Sequence, residues 1–319
     1  MVHDGVLGVD VGGTHIRAAA ITPEGKVIAR RQTACRAVEG FEAVVARLAA
    51  TVAEAAEAGG LPPDARVGVA LPGPVNPHTG VLGLAPNLPG WHDVPVRDVL
   101  TARLGRPVVA GNDLNVAALG EWRYGAGKGL RHLIFLGVGT GVGGGVIVDG
   151  QLLQGRDGLA TEPGHMVVSL DGPPCHCGGR GCLEAFAAGW AIARDARQLL
   201  DSGMPSVLTE MQAERGEELT GAMVTRAAQN GDGLALEVMT RVGHALGLGI
   251  ASLVHIFNPE IVAIGGGVAT AGEVLFGPLR AALDAQLMAP FAVGLRVVPS
   301  ALVEDAGLLG AGVLAAGAE

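Results

Sequence analysis

Two glycine-rich segments of the same plan, one in each half of the chain, constrain the fold most strongly. Val6–Ile21 places two apolar runs around the bend Gly12-Gly13-Thr14, and Leu133–Val148 repeats this arrangement around Gly139–Gly144. Apolar runs joined by a glycine bend predict a strand–turn–strand hairpin. Because the plan recurs, the sequence predicts two homologous halves that each open on such a hairpin.

The segments around the hairpins alternate between helix and strand patterns. This alternation predicts an α/β fold in which each half is a mixed sheet flanked by helices, with a boundary near Gly125–Gly129. Helices are predicted over Gly40–Ala58, Leu114–Tyr124, Trp190–Leu200, Gly233–Val254 and Ala306–Ala316, and strands over Arg66–Ala70, Pro107–Ala110 and Glu260–Ile264.

Composition limits the classes of partner and site. A net charge of −9 and 3% aromatic residues argue against nucleic acid and against an anionic membrane as partners. Lys26 and Lys128 are the only lysines and no GxxxxGK[ST] motif occurs, so a lysine-dependent phosphate loop is not expected. No signal peptide or long apolar stretch is visible, and four cysteines without a disulfide pattern favour the cytoplasm.

The second glycine bend, Gly139–Gly144, matches the G-x-G-x-x-G pattern of dinucleotide-binding folds. That pattern requires a following helix, and the apolar run Val146–Val148 predicts a strand instead, which excludes the dinucleotide interpretation. Two interpretations remain: a bend whose backbone N–H groups face an anion, and a tight structural turn.

The first bend carries more polar chemistry. Asp10 closes a predicted strand, where its carboxylate could hold Mg²⁺ directly or through water, and Thr14 offers a hydroxyl to a phosphate. A locally satisfied Asp in a turn is the alternative. Because two such bends occur in one chain, a nucleotide held by both is the favoured interpretation.

Asn112-Asp113 lies where a predicted strand ends and a predicted helix begins. Asp113 is then either the residue that caps the helix or a general base at the carboxyl end of a sheet strand. In phosphoryl transfer, such a base accepts the proton of the attacking hydroxyl.

Three of the four cysteines, Cys175, Cys177 and Cys182, fall in one glycine-rich loop. With His165 they offer the ligands of a closed tetrahedral zinc site, although the spacing is not that of a standard zinc finger. A cluster of buried thiols is the alternative, and His176 is a competing fourth ligand. The other histidines, including His15, His132, His244 and His255, are expected to be packing or surface residues.

Together these motifs closely resemble the ROK family of sugar kinases and repressors. The matches occur in the family's order and cover nearly the whole chain, and the cysteine-rich segment is the most specific of them. The matching segments are DVGGT (Asp10–Thr14), LPGPV (Leu71–Val75), NDLN (Asn112–Asn115), GTGVGGG (Gly139–Gly145), EPGH (Glu162–His165), CHCGGRGCLE (Cys175–Glu184) and IGGGV (Ile264–Val268).

The resemblance implies an actin/hexokinase-like (RNase H-like) duplicated α/β fold, with two lobes and a cleft for nucleotide and sugar. Residues 1–124 would form the small N-terminal lobe, with a C-terminal helix at about 304–319 packing back on it. Residues 125–303 would form the large lobe and contain the zinc-binding loop.

The resemblance also implies the role of each site residue. Asp113 would be the catalytic base, and His165, Cys175, Cys177 and Cys182 would hold a structural zinc ion. ATP and Mg²⁺ would be held by Asp10, Gly12, Gly13, Thr14, Gly139, Thr140, Gly141, Gly143, Gly144, Gly265, Gly266 and Gly267. The sugar would contact Asn112, Asp113, Glu162, His165 and Glu184, with Gly73 and Asn87 as weaker candidates.

The expected activity is transfer of the ATP γ-phosphoryl group to the 6-hydroxyl of a hexose, with glucose favoured. N-acetylmannosamine, N-acetylglucosamine, mannose, fructose and allose are alternative substrates, polyphosphate is an alternative donor, and a non-catalytic sugar-binding regulator is an alternative class. ROK repressors carry an N-terminal DNA-binding segment, and the first strand starts too near Met1 to leave room for one, which favours a kinase. The resemblance further implies a homodimer.

Overall fold

A computed structural model of the chain describes residues 4–216 and 218–317. Within this part, the chain forms two compact units. The first comprises the chain as far as Leu133, Gly145–Thr161 and the segment from Ala301 onward, and the second comprises Ile134–Gly144 and Glu162–Ser300. The lobe limits expected above stay a prediction.

The first unit is built on a five-stranded sheet. Its strand order is β3-β2-β1-β4-β5, with β1 antiparallel to β2 and parallel to β4, and β4 parallel to β5. The elements are β1 (Val6–Val11), β2 (His15–Ile21), β3 (Val27–Ala34), α1 (Phe41–Gly59), β4 (Val67–Leu71), α2 (Val96–Leu104), β5 (Val108–Asn112), α3 (Asp113–Tyr124) and α11 (Ala306–Ala316).

The C-terminal helix α11 packs directly on this sheet and on α3. The close approach depends on missing side chains: a Cβ atom on Gly68 of β4 would lie 1.8 Å from the carbonyl oxygen of Ala311. A Cβ atom on Gly310 of α11 would likewise lie 1.8 Å from the carbonyl oxygen of Val116. The Ala/Gly composition of α11 is therefore what lets it lie against the backbone of its neighbours.

A second five-stranded sheet has the order β10-β9-β6-β7-β8. The end of β7 from Gly145 onward and all of β8 belong to the first unit, whereas helices α4 to α10 belong to the second. The elements are β6 (Leu133–Val138), β7 (Val142–Val148), β8 (Gln151–Leu152), α4 (Glu184–Ala187), α5 (Gly189–Asp201), α6 (Leu208–Arg215), α7 (Gly221–Gln229), α8 (Gly233–Phe257), β9 (Ile261–Gly265), α9 (Glu273–Gln286), α10 (Ala289–Ala292) and β10 (Arg296–Pro299).

The two sheets share one plan, which confirms the predicted duplication. In the first sheet, the opening hairpin β1–β2 has β3 on one side and β4 and β5 on the other. In the second sheet, the hairpin β6–β7 has β8 on one side and β9 and β10 on the other. The predicted helices and strands are all present, with ends that differ by up to three residues. The sequence interpretation gave no prediction for several other elements, among them β3, whose residues are mostly exposed, the capped helix α7, and α2, α6, α9 and β10.

Helix α8 is the one described helix long and apolar enough to cross a membrane by length and composition. About two thirds of that apolar window, 67%, is buried inside the protein, as in the core helix of a globular fold. It packs against α9 and α7 within the second unit. Its hydrophobicity is therefore explained by the core.

Candidate functional site

The junction of β5 and α3, here called the Asp113 corner, settles which residue caps the helix. Asn112 is the N-cap: its side-chain oxygen accepts hydrogen bonds from the backbone N–H groups of Leu114 and Asn115, both at 3.1 Å. The Asn112 amide nitrogen also donates to the carbonyl oxygen of Gly73 at 3.2 Å. Asp113 is the first residue of α3 and is half-buried. Asp113 Oδ1 also accepts a hydrogen bond from the backbone N–H of Leu114 at 2.8 Å, which orients the carboxylate at the start of the helix.

Gly73 and Asn87, the weaker sugar-binding candidates, lie in the same unit as the Asp113 corner. Gly73 has φ 144°, and a Cβ atom there would lie 2.8 Å from the carbonyl oxygen of Leu84. Only glycine fits this conformation without strain. Asn87 lies against the first glycine bend: a Cβ atom added to Gly13 would be 3.3 Å from the carbonyl oxygen of Asn87.

The first glycine bend lines a cavity of about 480 Å³ that contains a charged pair. Arg17 Nη2 lies 2.5 Å from Asp10 Oδ2, and their side chains are 25% and 15% exposed. The two residues face each other across the β1–β2 ladder. Asp10 is therefore paired with a cation that the protein supplies, and both residues line the same cavity.

The second glycine bend is tied to an acid from the cysteine-rich segment. The carboxylate of Glu184, Oε2, accepts a hydrogen bond from the backbone N–H of Val142 at 3.1 Å. A Cβ atom on Gly141 would lie 2.8 Å from the same Oε2 atom. Gly141 is thus a glycine because the Glu184 carboxylate lies against its backbone. The bend closes through a hydrogen bond from Gly139 N to the carbonyl oxygen of Gly141, at 2.9 Å.

A cavity of about 560 Å³ opens beside this bend, within the second unit. That volume falls within the roughly 300–1,000 Å³ typical of small-molecule sites. The N-terminal ends of α5 and α7 both face it, and helix N-termini favour phosphate groups. Its walls are formed by Gly139, Thr140, Gly189, Trp190, Ala193, Leu219, Thr220, Gly221, Ala222, Thr225, Gly267 and Val268.

The EPGH segment is positioned by a side-chain hydrogen bond just before it and by a close backbone contact inside it. Thr161, just before it, adopts φ 66°, unusual for a non-glycine residue, and its hydroxyl donates to the side-chain oxygen of buried Asn115 at 3.1 Å. A Cβ atom on Gly164 would lie 1.9 Å from the carbonyl oxygen of Val142. These contacts fix Glu162 and His165 at the start and end of one short turn.

Partial burial raises the pKa of Glu162 above its ordinary value of 4.5. His165 opposes this shift and the nearby Glu184 carboxylate adds to it. The Glu162 side chain still reaches solvent, so the effect on stability is small.

The predicted zinc ligands come together. The ligand atoms of His165, Cys175, Cys177 and Cys182 all lie within 4.8 Å of one another. Cys177 and Cys182 Sγ are 3.7 Å apart, and His165 Nδ1 is 3.9 Å from Cys175 Sγ. Two thiolates on a tetrahedral zinc ion, each at about 2.3 Å, are about 3.8 Å apart, so the four residues fit zinc.

His176, the competing ligand, lies outside this group of four. Its ring stacks on Trp190, with centroids 4.0 Å apart and an interplanar angle of 21°.

Burial raises the pKa of the Cys175 thiol to about 12 and also raises the pKa of the Cys182 thiol. A backbone N–H bond from Gly179 lowers the pKa of Cys177. A divalent cation would offset the cost of ionising the two buried thiols.

Comparison with known proteins places these features in one family. The sequence pattern that defines the ROK family matches residues 6–318. The chain belongs to the ROK family.

Relatives of the chain include enzymes and regulators. It is 42% identical to a glucokinase of Thermotoga maritima, over 96% of this chain and 95% of that protein. It is 30% identical to a xylose repressor of Caldicellulosiruptor bescii, over 96% of this chain and 76% of the repressor.

Solved structures support the same assignment. A ROK glucokinase from Streptomyces griseus, in complex with glucose and AMPPNP, superposes with a TM-score of 0.82 at 34% identity, covering 98% of this chain and 99% of that one. The duplicated α/β fold expected of a ROK protein is thereby confirmed.

The structure adds site residues that the ROK motifs did not indicate. Arg17 pairs with Asp10, and Trp190 lines the 560 Å³ cavity. Thr220, the N-cap of α7, also lines that cavity. Of the predicted nucleotide residues, Gly139, Thr140 and Gly267 line this cavity, whereas Asp10, Gly12, Gly13 and Thr14 line the 480 Å³ cavity of the first unit. Gly265 and Gly266 instead pack on β6, against Phe135 and Val138.

Proposed function

We propose that the protein is an ATP-dependent sugar kinase that phosphorylates the 6-hydroxyl of glucose. The observation that carries the proposal is the Asp113 corner: Asn112 caps α3, and Asp113 begins the helix, half-buried, directly after the carboxyl end of β5. The relationship to the Thermotoga maritima glucokinase, at 42% identity over nearly the full length, supports the same activity.

Asp113 would orient the 6-hydroxyl and accept its proton. The proton can leave late in a loose phosphoryl-transfer transition state, so a strong base is not required. Backbone N–H groups of the two glycine bends would offset negative charge on the transferred phosphoryl group. Mg²⁺, when bound, would neutralise phosphate charge, with Asp10 holding it through water.

The hydroxyl pattern of the hexose would be distinguished by Asn112, Glu162, His165 and Glu184, with Gly73 and Asn87 as further contacts. Buried polar groups of this kind discriminate strongly against an analogue that lacks a matching hydroxyl. His165 would serve twice, since its Nδ1 atom faces Cys175 and leaves Nε2 for the sugar.

The zinc ion would be structural, because four protein ligands complete its coordination. It would hold in place the segment that carries His165 and Glu184. We also infer a cytoplasmic location, a homodimer, and ATP rather than polyphosphate as donor.

A substrate panel tests the proposal. The purified protein is assayed for ADP release with ATP, Mg²⁺ and each of glucose, mannose, fructose, allose, N-acetylglucosamine and N-acetylmannosamine. We expect the highest kcat/KM with glucose. A higher value with another hexose would correct the substrate while retaining the reaction, and polyphosphate replaces ATP in a second series.

The xylose repressor relative favours one second candidate, a sugar-binding regulator without turnover. Tight sugar binding with no ADP release for any hexose would establish that candidate and overturn the kinase.

A further inference from the structure

Trp190 belongs both to the surroundings of the zinc site and to the wall of the 560 Å³ cavity. It is the second residue of α5, and it lines the cavity together with Gly139 and Thr140. The same residue packs against the buried cluster that contains Cys175 and Cys182. One side chain is thus shared by two regions to which the sequence assigns separate tasks.

Two further side chains fix the position of the indole ring. The His176 ring stacks on it, and the guanidinium of Arg194 lies 5.4 Å from its centroid. Arg194 is itself held, because its Nη2 donates to the carbonyl oxygen of Ala185 at 2.8 Å and pairs with Asp195 at 2.6 Å. The indole is therefore held by groups on the cysteine loop and on its own helix.

The cysteine loop, residues 175–182, has little regular structure of its own. Two isolated bridges, Pro174–Arg180 and Val167–Cys182, and short turns define its backbone. Cys175 and Cys177 flank His176, so an ion held by both thiolates fixes the backbone from which the His176 ring projects. Without the ion, the position of that ring depends on weak local contacts.

We propose that Trp190 is a positioning residue through which bound zinc shapes the nucleotide cavity: zinc orders His176, His176 holds the indole, and the indole completes the cavity wall. The inference rests on the proposed function, in that the cavity is assigned to ATP. It adds that zinc strengthens nucleotide binding, besides ordering the residues assigned to the sugar.

The test measures binding of Mg²⁺–ADP by calorimetry, with zinc content determined for each sample. We expect Trp190→Ala and His176→Ala to bind ADP about three- to tenfold more weakly than the wild type, the range of one aromatic pair. His176→Phe keeps the stack and should bind as the wild type does. His176→Ala should retain its zinc, because His176 lies outside the four ligands.

Removing zinc from the wild type and from His176→Ala tests whether zinc and His176 act on ADP binding through the same contact. Stripping zinc from the wild type should weaken ADP binding to the level of His176→Ala, and stripping it from His176→Ala should cause little further loss. Trp122→Phe, a tryptophan change in the first unit, is the control and should leave ADP affinity unchanged.

Either of two results would overturn the inference: unchanged ADP affinity in a verified zinc-free wild type, or unchanged ADP affinity in His176→Ala. Because the His176 side chain is exposed, its replacement should not affect folding, so the test does not depend on whether Trp190→Ala folds. Failure of the proposed function differs from both, because the zinc-loaded wild type would then not bind ADP at all.

Discussion

The Asp113 corner and the zinc site differ in what holds their side chains in place. At the corner, a strand end, a helix start and the hydrogen bonds of the Asn112 side chain to backbone groups set the geometry. At the predicted zinc site, four side chains converge from a loop and a short turn, and two of the thiols are buried. The proposed chemistry therefore depends on hydrogen bonds within the fold, whereas the proposed sugar recognition also depends on an ion.

Asp113→Ala should give the largest effect. Loss of a general base lowers kcat by about 10²–10⁴-fold, because no other group accepts the hydroxyl proton in the transition state. The fold should be unaffected, since Asn112 rather than Asp113 caps α3. Coupled ADP-release kinetics measure kcat, and unchanged thermal unfolding serves as the control. A kcat near that of the wild type would remove Asp113 from the mechanism.

Zinc removal should affect binding and stability more than the chemistry. We expect about ten- to hundredfold weaker glucose binding and a lower Tm, because hydrogen bonds to charged groups such as Glu184 contribute about 1.5–3 kcal/mol each. Chelation and Cys182→Ser should agree. Zinc affinity should also fall as the pH falls, since the thiols must ionise to bind the metal. Full glucose affinity in a metal-free sample would contradict the structural role.

Gly141→Ala should weaken glucose binding without replacing any of the four predicted zinc ligands. The added Cβ atom would lie 2.8 Å from Glu184 Oε2 and displace that carboxylate, so we expect the KM for glucose to rise about tenfold. Gly139→Ala, in the same bend, is the matched control, because nothing lies within 4 Å of its added Cβ atom. Equal effects of the two variants on the KM for glucose would disprove the Glu184 contact.

Glu162→Gln should give the smallest stability effect, with a defined dependence on pH. The folded state raises the pKa of this carboxyl, so it binds more protons than the unfolded state between pH 4.5 and the raised value. Stability contributed by Glu162 therefore falls as pH rises through that window. The Gln variant should be slightly more stable than the wild type at neutral pH and no more stable below pH 4.5. Chemical denaturation at both pH values measures this, and a reversed sign would refute the assignment.

Much of this organisation was readable from local sequence pattern. The hairpins, the buried strands and the strand-to-helix step at Asn112 depend on residues near one another in the chain, and all were predicted. The clustering of His165, Cys175, Cys177 and Cys182 was also predicted, because thiols and an imidazole in one segment are typical zinc ligands.

Other features depend on packing between distant segments. The Asn112 side chain, which caps α3, also donates to the carbonyl oxygen of Gly73, a residue from a distant part of the chain. The contact of Glu184 with Gly141 and the stack of His176 on Trp190 join residues whose proximity no local pattern encodes. The Asp10–Arg17 pair had a signal in the β1–β2 register, which places the two residues opposite each other.

Glucose binding measured by calorimetry on Asp113→Asn and on zinc-free wild type, side by side, separates the two roles. The amide keeps a hydrogen-bonding oxygen but is not a base, so we predict that zinc-loaded Asp113→Asn binds glucose within a few-fold of the wild type without turnover, whereas the zinc-free wild type binds glucose at least about tenfold more weakly. The opposite pattern, with glucose binding lost in Asp113→Asn and retained without zinc, would refute the division between chemistry at the Asp113 corner and recognition at the zinc site.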